Sequence, residues 1–526
     1  VATIEFDNVA AIGVVQDEPP YQILPEAWSQ ALNVLPVDNG MIRARGWTQV
    51  FGTPGVAPHF ALPILSPSQA FWLYTSLTAA YVYDGATHTN ITRTVGGAYT
   101  AGATRDWNAV LFAGVPIVNN GSDVPQFWGA LSTLTKLADM TNWPSTLRAK
   151  IIRAVGPYLV ALNCTDSAVV YQHLVRWSQS VENPGALPAS WDYGDETIDA
   201  GQYDLPDVNA GGIVEGLNLG SKLMIYKEQS TWGMRFIGGR PIFAFDTFSE
   251  TAGILAPRCV AITGDGKKHI VATQDDIVVH DGTTGIVSAV NGKMRKAVFG
   301  NLDQTNYVNS FMYTDAENDT IYFVYPENGQ TNPSRALAIN YRTGALTEHD
   351  GITYRNAAAG RVEASSGATW TTITGTWSGT TALWSQQARR RVVLCCTDST
   401  KFCELHSGTT RDGSAYTAIL QREGLAMAGK KRTGEPVVDH EIIKYIDRVW
   451  PKIQVSTGYV KVRVGYQMHV DGPVTWGPYT NFDPATQVTV DASMSGRAVA
   501  IEFSTTGDLD WRLDGWKLAV KADAQF

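Results

Sequence analysis

The sequence predicts an all-β protein, and within that class a β-propeller of about six or seven blades with an N-terminal clamp segment and a C-terminal β-sandwich. Three observations carry this expectation. Gly (49), Trp (16) and Tyr (21) are plentiful while charged residues make up only 17%, a balance that suits many short strands joined by tight turns. The length of 526 residues exceeds what one hydrophobic core usually serves, which points to several domains or a repeat array. A short phrase also recurs: "YVYDG" ending at Gly85 follows "FWLYTS", and "VVHDG" ending at Gly282 follows "HIVATQ".

In chain order, residues 1–60 form the clamp or platform. Prolines at 19, 20, 25 and 36 argue against regular strand, and "PEAWSQALNV" from Pro25 suits one short helix. Residues 61–428 hold the propeller. Hairpin-like segments start at Ala70, Asn108, Tyr158, Lys222, His269, Thr320 and Val392. Each is an apolar run, a polar turn such as "TQDD" or "CTDS", and a second run. They start roughly 40 to 70 residues apart, as expected when each repeat is one four-stranded sheet. Ring closure then protects the sheet edges. The serial WD40 signature and the sialidase-type S-x-D-x-G-x-x-W box are both missing. After the spacer "KKRTGEP", residues 436–526 alternate in "YVKVRVGYQ", "TQVTVDA", "RAVAIEFS" and "GWKLAVKA", the pattern of half-buried antiparallel strands.

The formal charge of −9 argues against wrapping nucleic acid by bulk electrostatics. No apolar stretch reaches the roughly 18 to 20 residues of a membrane span, and residues 1–11 lack a signal-peptide pattern. The reading is a soluble protein made in the cytoplasm. The five cysteines are odd in number, and Cys164, Cys259, Cys395 and Cys396 sit in or beside apolar runs, so reduced buried thiols are expected.

Four stretches together resemble the tail hub or nozzle (tail tubular) proteins of short-tailed bacteriophages, podovirus-like. The first comprises Gly13, Pro20, Leu24-Pro25, Ala27, Asn33-Val34, Asp38, Gly40 and Arg45-Gly46. The second is "VRWSQSVENPGALPASW", with Val175 to Ser178 and Trp191. The third is "GLNLGSKLMIYKEQSTWGMRFIGG". The fourth runs from "RVWPKIQVSTGYVKVRVGYQ" to "GRAVAIEFSTTGDLDWRLDGWKLAV". The blocks span most of the chain in family order, and the chain departs from the largest members in lacking long inserted domains. The resemblance implies a structural ring, commonly hexameric, in the virion tail. Such a ring docks to the portal-adaptor assembly, attaches tail fibres or tailspikes, and conducts double-stranded DNA through its lumen without sequence-specific binding.

A propeller can host a glycosidase, which needs two acids flanking a sugar bond. Asp275 and Asp276 fall at a hairpin turn, where Asp is favoured for backbone bonding. No His-x-x-x-His spacing and no Gly-x-Ser-x-Gly elbow occurs. Cys395, Cys396, Cys403 and His406 cluster in sequence, yet adjacent strand residues point to opposite faces, which spoils joint ligation. No enzyme activity, metal or cofactor is expected. Trp511 and Trp516 are five apart, so strict alternation places them on opposite faces with at least one in the core. Residues 178–212 contain Glu182, Asp192, Asp195, Glu196, Asp199, Asp204 and Asp207 without one Lys or Arg; such a loop suits a docking or channel-lining role, with a plain solvated loop as the alternative. Arg389, Arg390, Arg391, Lys430, Lys431 and Arg432 are candidate contacts to DNA or a partner. The alternatives to a tail ring are a glycan- or receptor-binding tail protein and, further off, a propeller glycosidase.

Overall fold

The computed structural model describes residues 2–524 except 67–69, 104–105, 240, 363–389, 398–399, 431–435, 457 and 470. The chain is all-β. Among the described residues, four-stranded antiparallel sheets lie over residues 60–90, 108–139, 147–204, 213–249 and 260–288, here sheets 1 to 5; residues 311–349 form four consecutive antiparallel strands of a ten-stranded sheet, here sheet 6, and residues 354–405 contribute three strands of a further four-stranded sheet, here sheet 7. Each of the seven hairpins seen in the sequence falls in a different sheet. First strands of sheets 1 to 4 touch in turn, as do those of sheets 5 to 7, and the first strand of sheet 7 touches that of sheet 1. Neighbouring sheets share apolar clusters, such as Ile64, Leu73 and Val82 of sheet 1 with Val118 of sheet 2. The first strands therefore lie innermost and the fourth strands at the rim, a propeller-like arrangement.

Sheet 7 obtains its fourth strand from far away in sequence. The N-terminal segment supplies β1 (Ala2–Phe6), β2 (Gln30–Leu32), β3 (Val34–Val37), β4 (Gly40–Arg43) and β5 (Trp47–Val50). β5 pairs with Lys401–Leu405 and completes sheet 7. β2 lies between the last strand of sheet 6 and Thr417–Leu425, while β1 and β4 pair with Trp511–Ala524. Where a short helix was expected from Pro25, the structure has turns and then β2 and β3. Trp28 is buried with its indole N–H donating to Val9 O (2.8 Å), and Asn33 takes φ +55° while its amide donates to Asp350 (2.8 Å) and Thr417 O (2.6 Å). Tertiary pairing overrides a helix too short to hold itself. Pro36 is tolerated because β3 is an edge strand that needs no outward donor.

Two sheets face each other in the C-terminal part. One joins β1, β3 and β4 to Trp511–Ala524, Ile443–Val455 and Val490–Gly496; the other extends sheet 6 through β2 to Thr417–Leu425, Ala498–Thr506 and Val460–Gln467. Phe6 stacks on Trp516 (centroids 4.0 Å apart), and Phe503 meets Trp28 and Trp516 edge-on or tilted. Trp511 and Trp516 are both buried on this inner side. Alternation fails because the pairing with Ile443–Val455 slips between Lys452 and Ile453, so Asp514 is an extra residue and parity is restored. Gly515 sits at the bulge, where an added Cβ would lie 2.5 Å from Phe6 O.

The repeated phrase also has a structural reason. Asp84 accepts the N–H groups of Ala86 and Thr87, and Asp281 those of Thr283 and Thr284, so each Asp caps the turn before a fourth strand. Gly85 (φ +95°) and Gly282 (φ +73°) take the left-handed conformation the turn requires.

His280, in the same phrase, enters a buried relay between sheets 4 and 5. Its Nδ1 accepts the Gly282 N–H (3.2 Å), which leaves Nε2–H to donate to Tyr226 Oη (2.9 Å). His269 Nε2–H donates to Asn218 O (3.1 Å), so its Nδ1 accepts the Tyr226 hydroxyl proton (2.7 Å). Every donor and acceptor is used once with both imidazoles neutral. Burial, with the neighbouring imidazole adding for His269, lowers both histidines to about 4.

Candidate functional site: the acidic rim loop of sheet 3

The loop at residues 178–200 leaves the third strand of sheet 3, Val169–Trp177, and returns as its outermost strand, Gly201–Asp204. It therefore lies at the rim, away from the axis that the first strands line. The segment "RWS" anchors it. Arg176, buried, donates through Nε and Nη2 to Trp191 O (3.2 and 2.7 Å); Trp177 Nε1 donates to Asp199 O (3.0 Å); Ser178 N–H donates to Leu159 O (2.9 Å). Trp191 packs edge-on against Trp143 at 4.6 Å. A long loop is thereby held in shape at its start, middle and end.

The seven carboxylates divide into three groups. Asp199 accepts Tyr158 Oη (2.9 Å) and Ser180 N–H (3.0 Å), and Asp207 accepts Lys227 Nζ (2.5 Å), Trp232 Nε1 (2.8 Å) and the Ser230 hydroxyl. For both, burial pushes the carboxyl upward, but the converging donors outweigh it and hold the pKa below the usual value. The Lys227 side chain is wholly enclosed and Asp207 is its counter-ion. These two residues hold structure. Asp192 accepts Gly194 N–H (2.9 Å) and Asp195 the Thr197 N–H (2.8 Å), both shaping turns. Glu182, Glu196 and Asp204 are exposed.

Sequence reasoning missed the groove beside these acids. Outer strands of sheets 3 and 4 bound an open cavity of about 500 Å³ lined by Trp177, Tyr193, Glu196, Tyr203 and Phe245 among others. Tyr203 and Phe245 stack with centroids 4.4 Å apart at 9°. Their spacing in sequence carries no periodic signal, because one ring comes from each sheet.

Of the basic candidates, Arg390 and Arg391 begin the strand Arg390–Thr397 and Lys430 ends Met427–Lys430. Their side chains, and Arg389, Lys431 and Arg432 altogether, lie outside the described residues.

A second cavity, about 300 Å³, opens where sheets 2 to 5 meet and includes Asp106, Glu215 and Glu228. Glu215 accepts from Arg153 and from the Arg258 N–H (3.1 Å), and Asp106 accepts the Ala103 N–H (2.7 Å). Asp276 accepts the Ser288 hydroxyl (2.8 Å), and Asp275 pairs with Arg295 (2.5 Å). Cys395 and Cys396 pack in different apolar clusters, on opposite faces of their strand. Among the described residues no group of three His, Cys, Asp or Glu side chains could hold a metal ion, and no helix is long and apolar enough to cross a membrane.

No family model matches the chain, and no curated protein matches it significantly. Among solved structures, Sqt1 of Saccharomyces cerevisiae is 8% identical and aligns over 69% of this chain and 98% of its own, with a TM-score of 0.36. A putative 6-phosphogluconolactonase from Bacteroides uniformis is 9% identical over 69% of this chain and 90% of its own, TM-score 0.34. PorZ of Porphyromonas gingivalis is 9% identical over 84% of this chain and 46% of its own, TM-score 0.35. Likeness at this level carries no inference to this chain.

Proposed function

We propose that the chain is a structural, non-enzymatic component of a short-tailed bacteriophage tail, made in the host cytoplasm and assembled in about six copies into a nozzle or hub ring around the DNA path. In this reading the seven sheets are the blades of one propeller, residues 1–60 are its clamp, and residues 436–526 form the body of the C-terminal sandwich. The ring meets the portal-adaptor assembly at one end and carries fibres or tailspikes. The observation that carries the reading is where the family-like residues fall. Asn33 ties β2 to Asp350 and Thr417, Arg176 to Ser178 anchor the rim loop, and Trp511 and Trp516 fill the sandwich core. They are joints of a scaffold, as a load-transmitting ring requires, and the acids of the second cavity described above are largely committed to local bonds.

A conduit must enclose DNA without gripping it. Proteins that bind duplex tightly neutralise many phosphates, and each steepens the salt dependence of affinity by roughly 0.9 log units per log of salt. Each copy brings a formal charge of −9, which favours sliding over holding. In fluorescence anisotropy of labelled duplex titrated with the assembled protein, negligible binding is expected at about 150 mM salt. Submicromolar affinity there, with a steep salt slope, contradicts the conduit and favours a dedicated DNA-binding role.

A further inference from the structure

We propose that Cys395 and Cys403 form a redox-active dithiol, in which a hydroperoxide oxidises Cys403 and Cys395 then closes a reversible disulfide across sheet 7. The site stands on the geometry of that sheet and is independent of the tail-ring reading. Cys395 lies on Arg390–Thr397 and Cys403 on Lys401–Leu405, and the two are direct partners in the antiparallel register. Both side chains belong to one apolar cluster and so share a face, whereas Cys396 pairs with Phe402 on the other. Cα atoms of directly opposed residues lie about 4.5–5.5 Å apart, inside the span of about 4.4–6.8 Å that a disulfide bridges. Their Cβ atoms, about 4.5–5.5 Å apart in such pairs, close by up to about 1 Å when the bond forms, which keeps it easy to reduce.

A buried thiol standing alone is inert. Two features set this pair apart. Cys403 lines an open cavity of about 690 Å³ together with Trp47, Tyr354 and Tyr416, whereas Cys395 is not part of its wall. The Cys395 thiol also donates to Cys403, which holds Cys403 below the usual thiol value against burial, while burial and that same hydrogen bond push Cys395 well up. Cys403 is therefore the nucleophile that meets the oxidant, and Cys395 the partner that resolves it. In the first step a Cys403 sulfur electron pair attacks one peroxide oxygen and the O–O bond breaks. The leaving hydroxide or alkoxide takes the Cys403 proton, giving water or an alcohol and a sulfenic acid. The Cys395 sulfur then attacks the Cys403 sulfur, the S–O bond breaks, and the departing hydroxide takes the Cys395 proton as water. Two thiols lose two electrons in all, and one peroxide gains them.

The test exposes the folded full chain to hydrogen peroxide, alkylates the remaining thiols in denaturant and digests with trypsin, which separates the pair by cutting after Arg391, Lys401 and Arg411. Fragments 392–401 and 402–411 are expected as one disulfide-linked species that dithiothreitol releases. Fragmentation should place the link at Cys395 at least about tenfold more often than at Cys396. In Cys395→Ala the Cys403 sulfenic acid should persist and be trapped by dimedone, whereas in Cys403→Ala the Cys395 thiol should stay reduced. Cys396→Ala is expected to form the link as wild type does. The mapping in wild type decides the matter even where an alanine variant folds poorly. No linked species under peroxide that oxidises the exposed Met468 would overturn the site. So would a link through Cys396, a link that forms only after denaturation, or Cys403 driven to sulfinic acid in wild type while Cys395 remains a thiol.

Discussion

Asp207→Ala is expected to cost about 3–5 kcal/mol of folding stability, the usual consequence of stranding one member of a buried ion pair. Lys227 is wholly enclosed and loses its carboxylate, while Trp232 Nε1 and the Ser230 hydroxyl lose their acceptor at the same time. Glu182→Gln, at an exposed position in the same acidic stretch, is expected to stay within about 0.5 kcal/mol. The pH dependence has a definite sign. The Asp207 pKa is lowered on folding, so its stabilisation is present above the unfolded value near 3.8 and disappears as pH falls through the lower folded value. Denaturant unfolding should therefore show a constant gap between wild type and Asp207→Ala from pH 7 to about pH 4, closing only below that. Equal effects of the two substitutions would mean that Asp207 is merely part of a solvated loop.

Tyr226→Phe is expected to cost about 2–5 kcal/mol, because it leaves His269 Nδ1 without a donor and His280 Nε2–H without an acceptor in a buried site. Acid should act on the same relay. Both imidazoles are held neutral, with values lowered to about 4 from an ordinary 6.5. Their contribution is full above 6.5 and is lost as pH falls from 6.5 through 4. Between pH 7 and pH 5 each should cost about 2 kcal/mol, taking 1.4 kcal/mol per pH unit. Other buried histidines also titrate, including His349, lowered to about 3 by burial and nearby Arg411 and His406. The relay's share is thus the part absent from a His269→Gln, His280→Gln double variant. A wild-type protein as stable at pH 5 as at pH 7 would contradict the neutral relay.

Much of the architecture is legible in the residues because hairpins obey local rules. The Asp-Gly turns at Asp84 and Asp281 and the apolar runs around them mark the sheets one by one. What is not legible is whatever depends on pairing between distant segments. β5 completes a sheet whose other strands lie more than three hundred positions away, so the period alone leaves the number of repeats open. Asp514 is an extra residue only with respect to its partner strand, and the inward turn of both Trp511 and Trp516 follows from that slip rather than from their spacing. The acidic stretch shows the same limit at the candidate site. Composition marks residues 178–212 as unusual, yet it treats seven carboxylates alike, whereas the fold assigns Asp199 and Asp207 to structure, Asp192 and Asp195 to turns, and leaves Glu182, Glu196 and Asp204 on the surface. The groove aromatics carry no signal at all, since Tyr203 and Phe245 meet only when sheets 3 and 4 pack side by side.

The central claim is that copies of this chain close into a ring around a passage for DNA. Electron microscopy of the assembled protein, averaged without imposed symmetry, tests it most directly. The account predicts end-on views of a closed ring of about six subunits with a central hole wide enough for a duplex, since closed point-group rings are the usual outcome of head-to-tail interfaces that complete a rotation. Class averages that contain only separate single-chain particles at every concentration, with or without the tail components it is expected to join, would contradict it.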